Sequence, residues 1–116
     1  GMLIAVADDP GMHSSQNEQD SRFYGKFAMI PIMEPSNQQE CYDMMQCAFS
    51  LSEKLKLPVL MRVVTRLAHS RAAVNIGCAI EQNGLNPDRN PQHWVLLPGI
   101  ARRQYASLID KQAERL

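Results

Sequence analysis

The sequence predicts an α/β fold: a partial doubly wound parallel sheet of about three to four strands, with flanking helices and a C-terminal helix. Three observations carry that expectation. "MLIAVA" is a short, continuous apolar run, the pattern of a strand buried on both faces of a parallel sheet. "VLMRVVT", restarted by Pro58, is β-branched and apolar in the same way. Between them stands a long stretch of helical periodicity, and a helical crossover between buried strands implies that they run parallel. Doubly wound domains usually carry about five or six strands, and fewer are evident here, so the sheet reads as partial.

The elements follow in chain order. After the first strand come the polar residues of "DDPGMHSSQNEQDSR", within which a short helix is expected from Ser14 to Lys26, ending near Gly25. "FAMIPIME" reads as a second strand, stopped by Pro35. Ser36-Asn37-Gln38-Gln39 matches a capping box, with Ser36 as N-cap and Gln39 reaching back. The helix that it opens, 37–56, carries Cys41, Met44, Met45, Ala48, Phe49 and Leu55 on one broad apolar face. The third strand follows, then a loop and short helix in "RLAHSRAAVNIGCAI". "EQNGLNPDRNPQH" is rich in Asn, Gln, Pro and Gly, the composition of a linker. "IARRQYASLIDKQAERL" forms an amphipathic tail helix with Tyr105, Leu108 and Ile109 on one face. The organisation expected is therefore 1–76 as sheet and helices, 77–98 as linker and 99–116 as terminal helix.

Composition narrows the function classes. The chain has 116 residues, and 12 basic residues balance 12 acidic ones, so nothing electrostatic favours nucleic acid or an anionic membrane as partner. No apolar run approaches the ~20 residues that span a bilayer, and "MLIAVA" lacks the basic region of a secretion signal. Cys41, Cys47 and Cys78 show no CxxC and no histidines at ligand spacing; they read as small hydrophobes in a reducing, cytoplasmic compartment.

Position rather than composition suggests a site. In an open parallel sheet, ligands bind beyond the carboxyl ends of the strands. The polar stretch leaves the carboxyl end of the first strand and "TRLAHSR" leaves that of the third, so both lie on one edge. Arg22 and Arg66 offer planar forks for a carboxylate or phosphate, and His13 and His69 can donate or accept hydrogen bonds. The bland readings stand beside this. Polar loops are commonly just solvated connectors, Arg66 and Arg71 can cover apolar surface with their stems, and the seven methionines serve as core filler. Trp94 reads as a packing anchor whose indole has no obvious partner. No GxGxxG, Walker lysine motif, GxSxG elbow or metal-ligand cluster is present. "LIAVADDP" is similar to the first strand of a phosphoacceptor receiver domain, but "VLMRVVTR" ends in Thr65-Arg66, where that family requires an aspartate.

The combination is more specific than its parts. "VADDPGMHSSQNEQDSRFYGKFAMIPIMEPSNQQECYDM" followed by "LPVLMRVVTRLAHSR" resembles the large (alpha) subunit of indolepyruvate ferredoxin oxidoreductases, thiamine-diphosphate-dependent 2-oxoacid:ferredoxin oxidoreductases. The likeness runs from about Met2 to Arg71, with the tail resembling the exit from that domain. It implies the second half of a pyrimidine-binding domain within an enzyme that converts arylpyruvates to aryl-acetyl-CoA and passes electrons to ferredoxin. It implies substrate contacts from Arg22, Arg66 and His69, and a coenzyme-pocket wall of His13, Ser14, Ser15, Gln16, Asn17, Thr65 and Ser70. No catalytic or metal-binding residue falls within the segment, since the family's activating glutamate lies upstream and its GDG motif and cluster cysteines lie downstream. Thiamine diphosphate with Mg2+ and iron–sulfur clusters thus belong to a parent protein whose partners are the rest of the alpha subunit, a beta subunit and ferredoxin. The segment alone is expected to be inactive, to bind none of these cofactors, and to form a homodimer through the sheet edge that a partial sheet exposes. The rival reading is a stand-alone, non-catalytic binding or assembly module with the same fold.

Overall fold

The computed structural model describes residues 1–84 and 86–115, so Leu85 of the expected linker and Leu116 of the expected tail helix lie outside the described residues. The chain divides into two compact units, Gly1–Ile76 and Gly77–Leu116. The first is an α/β unit with strands β1 (Leu3–Asp8), β2 (Ile32–Met33) and β3 (Val59–Val64). Its helices are α1 (Arg22–Ala28), α2 (Gln38–Leu55) and α3 (Thr65–Ala68). The sheet is entirely parallel in the order β1-β3-β2. The last strand in sequence is therefore the central one.

That order explains the burial. β3 supplies Val59, Leu60 and Met61 to the core, joined by Ala48 and Leu55 of α2 and Leu67 of α3. β1 was expected to be buried on both faces; it is instead an edge strand, half-buried or exposed until Asp8. β2 is cut to two residues because Pro31 and Pro35 flank it and cannot donate to a ladder.

Two local predictions shift. The helix expected from Ser14 begins only at Arg22, because the left-handed turn at Gly11–Met12 folds residues 13–15 over the Asp9 carboxylate and Asp8 holds Ser21 at the helix start, fixing the residues between them as a loop. The cap of α2 moves by one residue. Asn37 Oδ1 accepts from Glu40 N at 2.9 Å, and the Glu40 carboxylate accepts from Ser36 N and Oγ at 2.8 and 2.7 Å. Gln39, expected to reach back, instead exchanges hydrogen bonds with the backbone of Asn75. Ser52 ties the other end of α2 to the sheet, accepting from Met2 N at 2.8 Å and donating to Leu57 O at 2.6 Å.

α1 lies close against β2. A Cβ at Gly25 would stand 2.1 Å from Ile32 Cγ1, so this helix position admits only glycine without movement. The outward face of α1 leaves Phe23 and Phe27 at 72% and 88% exposure.

The second unit holds a 3₁₀ turn at Pro91–His93, helix α4 (Pro98–Asp110) and a further 3₁₀ segment, Lys111–Arg115. Pro98 stands in the first turn of α4, where a missing N–H costs nothing. Trp94 is exposed rather than an anchor of packing, and its indole N–H does find a partner, donating to Asp88 O at 2.8 Å. Among the described residues no helix is long and apolar enough to cross a membrane.

Candidate functional site

The sheet register brings the two expected loops together. Asp8, last in β1, is paired with Val64, last in β3, so Asp9 and Thr65 leave the sheet side by side. Thr65 Oγ1 donates to Asp9 Oδ1 at 2.7 Å, closer than its 3.1 Å approach to Asp8 O.

Asp9 is the organiser of the polar loop. Its carboxylate accepts the backbone N–H of His13 at 3.0 Å, Ser14 at 2.6 Å and Ser15 at 2.7 Å, and the Ser15 hydroxyl at 2.9 Å. Gly11 (φ 79°) and Met12 (φ 54°) take left-handed conformations that turn the chain back over the carboxylate. Thr65 first, then the Ser14 N–H and the Ser15 donors, stabilise the anion and hold Asp9 well below the usual carboxylate range.

Asp8 performs the second anchoring. Its Oδ2 accepts Ser21 N at 2.6 Å, Ser21 Oγ at 2.9 Å and Arg62 Nε at 2.5 Å. Burial alone would raise this carboxyl, but the Ser21 N–H and the Arg62 guanidinium outweigh it and keep its pKa lowered. Arg62 is 2% exposed, reaches Glu34 through its other arm, and stands 3.8 Å from Asp20. One guanidinium thus ties β1, β3, the residue following β2 and the polar loop together.

The expected site residues distribute unevenly around this frame. His13, Ser14, Thr65, Arg66 and His69 line one open cavity of about 410 Å³ at the carboxyl edge of the sheet. Ser15 faces inward to Asp9 and also donates to Asn17 O at 2.8 Å, while Gln16 and Asn17 are exposed on the loop. Ser70 accepts from the Gln38 side chain and donates to Leu67 O at 2.9 Å, tying α3 to α2. Arg22 is held outside the cavity lining in a two-pronged pair with Asp20, Nε–Oδ1 2.8 Å and Nη2–Oδ2 2.6 Å. The Arg22 fork lowers Asp20 to about 2, and the same pair raises the guanidinium.

Sequence reasoning missed the supporting acids and Arg62. A signal was present. An arginine inside an otherwise apolar strand, "VLMRVV", requires a buried anion, and the adjacent aspartates of "VADDP" were the available pair. The site has limits in what it can hold. Among the described residues no group of three His, Cys, Asp or Glu stands together as metal ligands. The cavity therefore fits as one polar wall of a ligand pocket and does not fit the metal–diphosphate end of a coenzyme.

No protein-family model matches the chain, and no solved structure matches it. Curated relatives do. The chain is 44% identical over 115 residues, 98% of its length, to indolepyruvate oxidoreductase subunit IorA of Methanothermobacter thermautotrophicus. It is 44% identical over 113 residues to the subunit IorA of Archaeoglobus fulgidus and 41% identical over 117 residues to that of Thermococcus kodakarensis. It spans 18–19% of the length of these relatives.

Proposed function

We propose, from a chain homologous along nearly its whole length to one segment of the indolepyruvate oxidoreductase subunit IorA, that it forms part of the substrate pocket of such an oxidoreductase. The observation that carries this reading is the convergence of "DDPGMHSSQNEQDSR" and "TRLAHSR" on one cavity at the carboxyl edge of a parallel sheet. That is where α/β sheets bind ligands.

In this reading the parent enzyme oxidatively decarboxylates indolepyruvate and related arylpyruvates to aryl-acetyl-CoA and delivers electrons to ferredoxin. Thiamine diphosphate supplies the decarboxylation chemistry there, and the protein positions and polarises. The contribution of this chain is a wall. Arg66 and His69, with Arg22 at the rim, face the 2-oxoacid; His13, Ser14 and Thr65 border the coenzyme, and Ser15, Gln16, Asn17 and Ser70 complete and brace that surface. The metal, the diphosphate and the iron–sulfur clusters would be held by other parts of the subunit, and ferredoxin and a beta subunit would be the partners. The enzyme would work in the cytoplasm.

The test is reconstitution. A full-length subunit carrying this segment, with its partner subunit and thiamine diphosphate, is expected to reduce ferredoxin or a viologen dye when given indolepyruvate and coenzyme A. Dye reduction that is indifferent to indolepyruvate would overturn the assignment. The 116-residue chain by itself is expected to turn nothing over, and thiamine-dependent arylpyruvate decarboxylation by it would overturn that part.

A further inference from the structure

We infer that Asp9 is a positioning residue for the cavity wall, setting the places of His13, Ser14 and Thr65. It also turns the Thr65 hydroxyl proton inward, so that Thr65 meets a ligand as an acceptor. The inference deepens the proposed function, and it rests on that reading for the identity of the ligand.

Three of the five residues that line the cavity are hydrogen-bonded directly to Asp9. Its Oδ1 accepts from His13 N at 3.0 Å and from Thr65 Oγ1 at 2.7 Å, and its Oδ2 accepts from Ser14 N at 2.6 Å. The other two, Arg66 and His69, follow from Thr65, which opens α3; His69 N donates to Thr65 O at 3.0 Å. One carboxylate beneath the wall therefore fixes both the side that comes from the polar loop and the side that comes from α3.

That carboxylate has nothing else to rest on. Asp9 is buried, and among the described residues it has no ion-pair partner, whereas Asp8 has Arg62. A buried anion without a cation depends on its hydrogen-bond donors, so the donors are held to it.

The polarity of Thr65 follows from its neighbours. Asp9 stays ionised, held well below the usual carboxylate range, and so offers only acceptors. Thr65 Oγ1 stands 2.7 Å from Asp9 Oδ1 and 3.1 Å from Asp8 O, and both are acceptors. Its single proton points inward to either of them, which leaves lone pairs for the cavity. A ligand N–H or O–H finds a partner there, and a ligand carbonyl or carboxylate oxygen finds no donor.

Asp9→Asn keeps the size of the side chain and replaces one acceptor with a donor group. Whichever way the amide turns, its NH2 meets obligate N–H donors, either at His13 or at Ser14 and Ser15. In NMR spectra of the 116-residue chain, this variant is expected to shift the His13, Ser14, Thr65 and His69 amide signals and leave those of residues 44–55 in place. Calorimetric titration of thiamine diphosphate with Mg2+ into the full-length subunit and its partner then reads the effect on a ligand. Asp9→Asn and Thr65→Val are each expected to raise the dissociation constant about tenfold, the value of one well-made hydrogen bond, at unchanged stoichiometry. The double variant is expected to bind no more weakly than Asp9→Asn, since both changes act through one hydroxyl. A merely structural role would instead lower the stoichiometry, by loss of folded protein, and leave the dissociation constant unaltered. Where Asp9→Asn does not fold, Thr65→Val decides alone, and an unaltered constant in it overturns the inference. Unmoved Thr65 and His69 signals, reduced stoichiometry at an unaltered constant, or losses that multiply in the double variant overturn it as well. Shifted signals in the chain, with no coenzyme taken up by the wild-type assembly, keep Asp9 as the residue that sets the wall and withdraw the coenzyme contact of the proposed function.

Discussion

At the scale of single residues, the carboxyl edge of the sheet depends on two adjacent aspartates with different tasks. Asp9 gathers the loop and Asp8 holds the buried Arg62. Removing one member of a buried pair leaves an uncompensated charge, so Arg62→Met is expected to lower unfolding stability by about 3 kcal/mol in urea denaturation. Adding Asp8→Asn to that variant should recover part of the loss, because the stranded anion is then gone. If the double variant is no more stable than Arg62→Met, Asp8 is not the partner that matters. The same acids set the pH response. The folded-state pKa values of Asp8, Asp9 and Asp20 lie below their ordinary 3.8, so their stabilisation is complete above that value and is lost as pH falls through the folded values. The urea midpoint is accordingly expected to hold level above about pH 5 and to fall below it. A midpoint that rises on acidification would contradict these hydrogen bonds. Arg62 was legible as a residue that needs a partner, whereas its choice of Asp8 and Glu34 was not, since Glu34 comes within reach only when β2 and β3 pair.

Among the elements, α2 and α1 show how local sequence and packing divide the work. The α2 start was readable to within one residue. Both Ser36 and Asn37 are good caps, and the side chain of Glu40, not Gln39, completes the reciprocal pair. Asn37→Ala is therefore expected to cost about 1 kcal/mol and Gln39→Ala clearly less in thermal unfolding. Equal effects would restore the Ser36–Gln39 box. Glu40 is held below its usual range by the Ser36 hydroxyl and N–H, consistent with an anion at a helix start. α1 depends on its neighbour. Gly25→Ala is expected to destabilise by about 1–2 kcal/mol, as for other overpacked sites, and Ile32→Ala should relieve the clash in combination. Additive losses in the double variant would show that the contact is not the cause. The shortness of α1 was hidden from periodicity because the loop before it is fixed by Asp9 and Asp8, and only the turn at Gly11–Met12 brings residues 13–15 back to the first of these.

For the whole molecule, the α/β class and the parallel strands followed from patterning, and so did the edge of the sheet where the loops meet. Among the described residues β1 presents an unpaired outer edge, and its Leu3, Ile4, Ala5, Val6 and Ala7 carry no charge or proline to block pairing. The expected homodimer of the isolated chain should appear in sedimentation velocity as a concentration-dependent shift to twice the monomer mass. Lysine at Ala5, on the exposed side of that strand, should abolish the shift. A chain that stays monomeric at high concentration counts against edge pairing.

The sequence by itself determined the element types, their parallel sense and which loops share an edge. These follow from hydrophobic period, helix signals and the length of the crossovers, all of which are local. Only the tertiary structure decided that β3 lies between β1 and β2, that Arg62 is the buried hub, and that Arg66 rather than Arg22 lines the cavity. Those outcomes depend on which distant charges meet once the strands pair, and a carboxylate 54 residues away in the chain leaves no periodic mark.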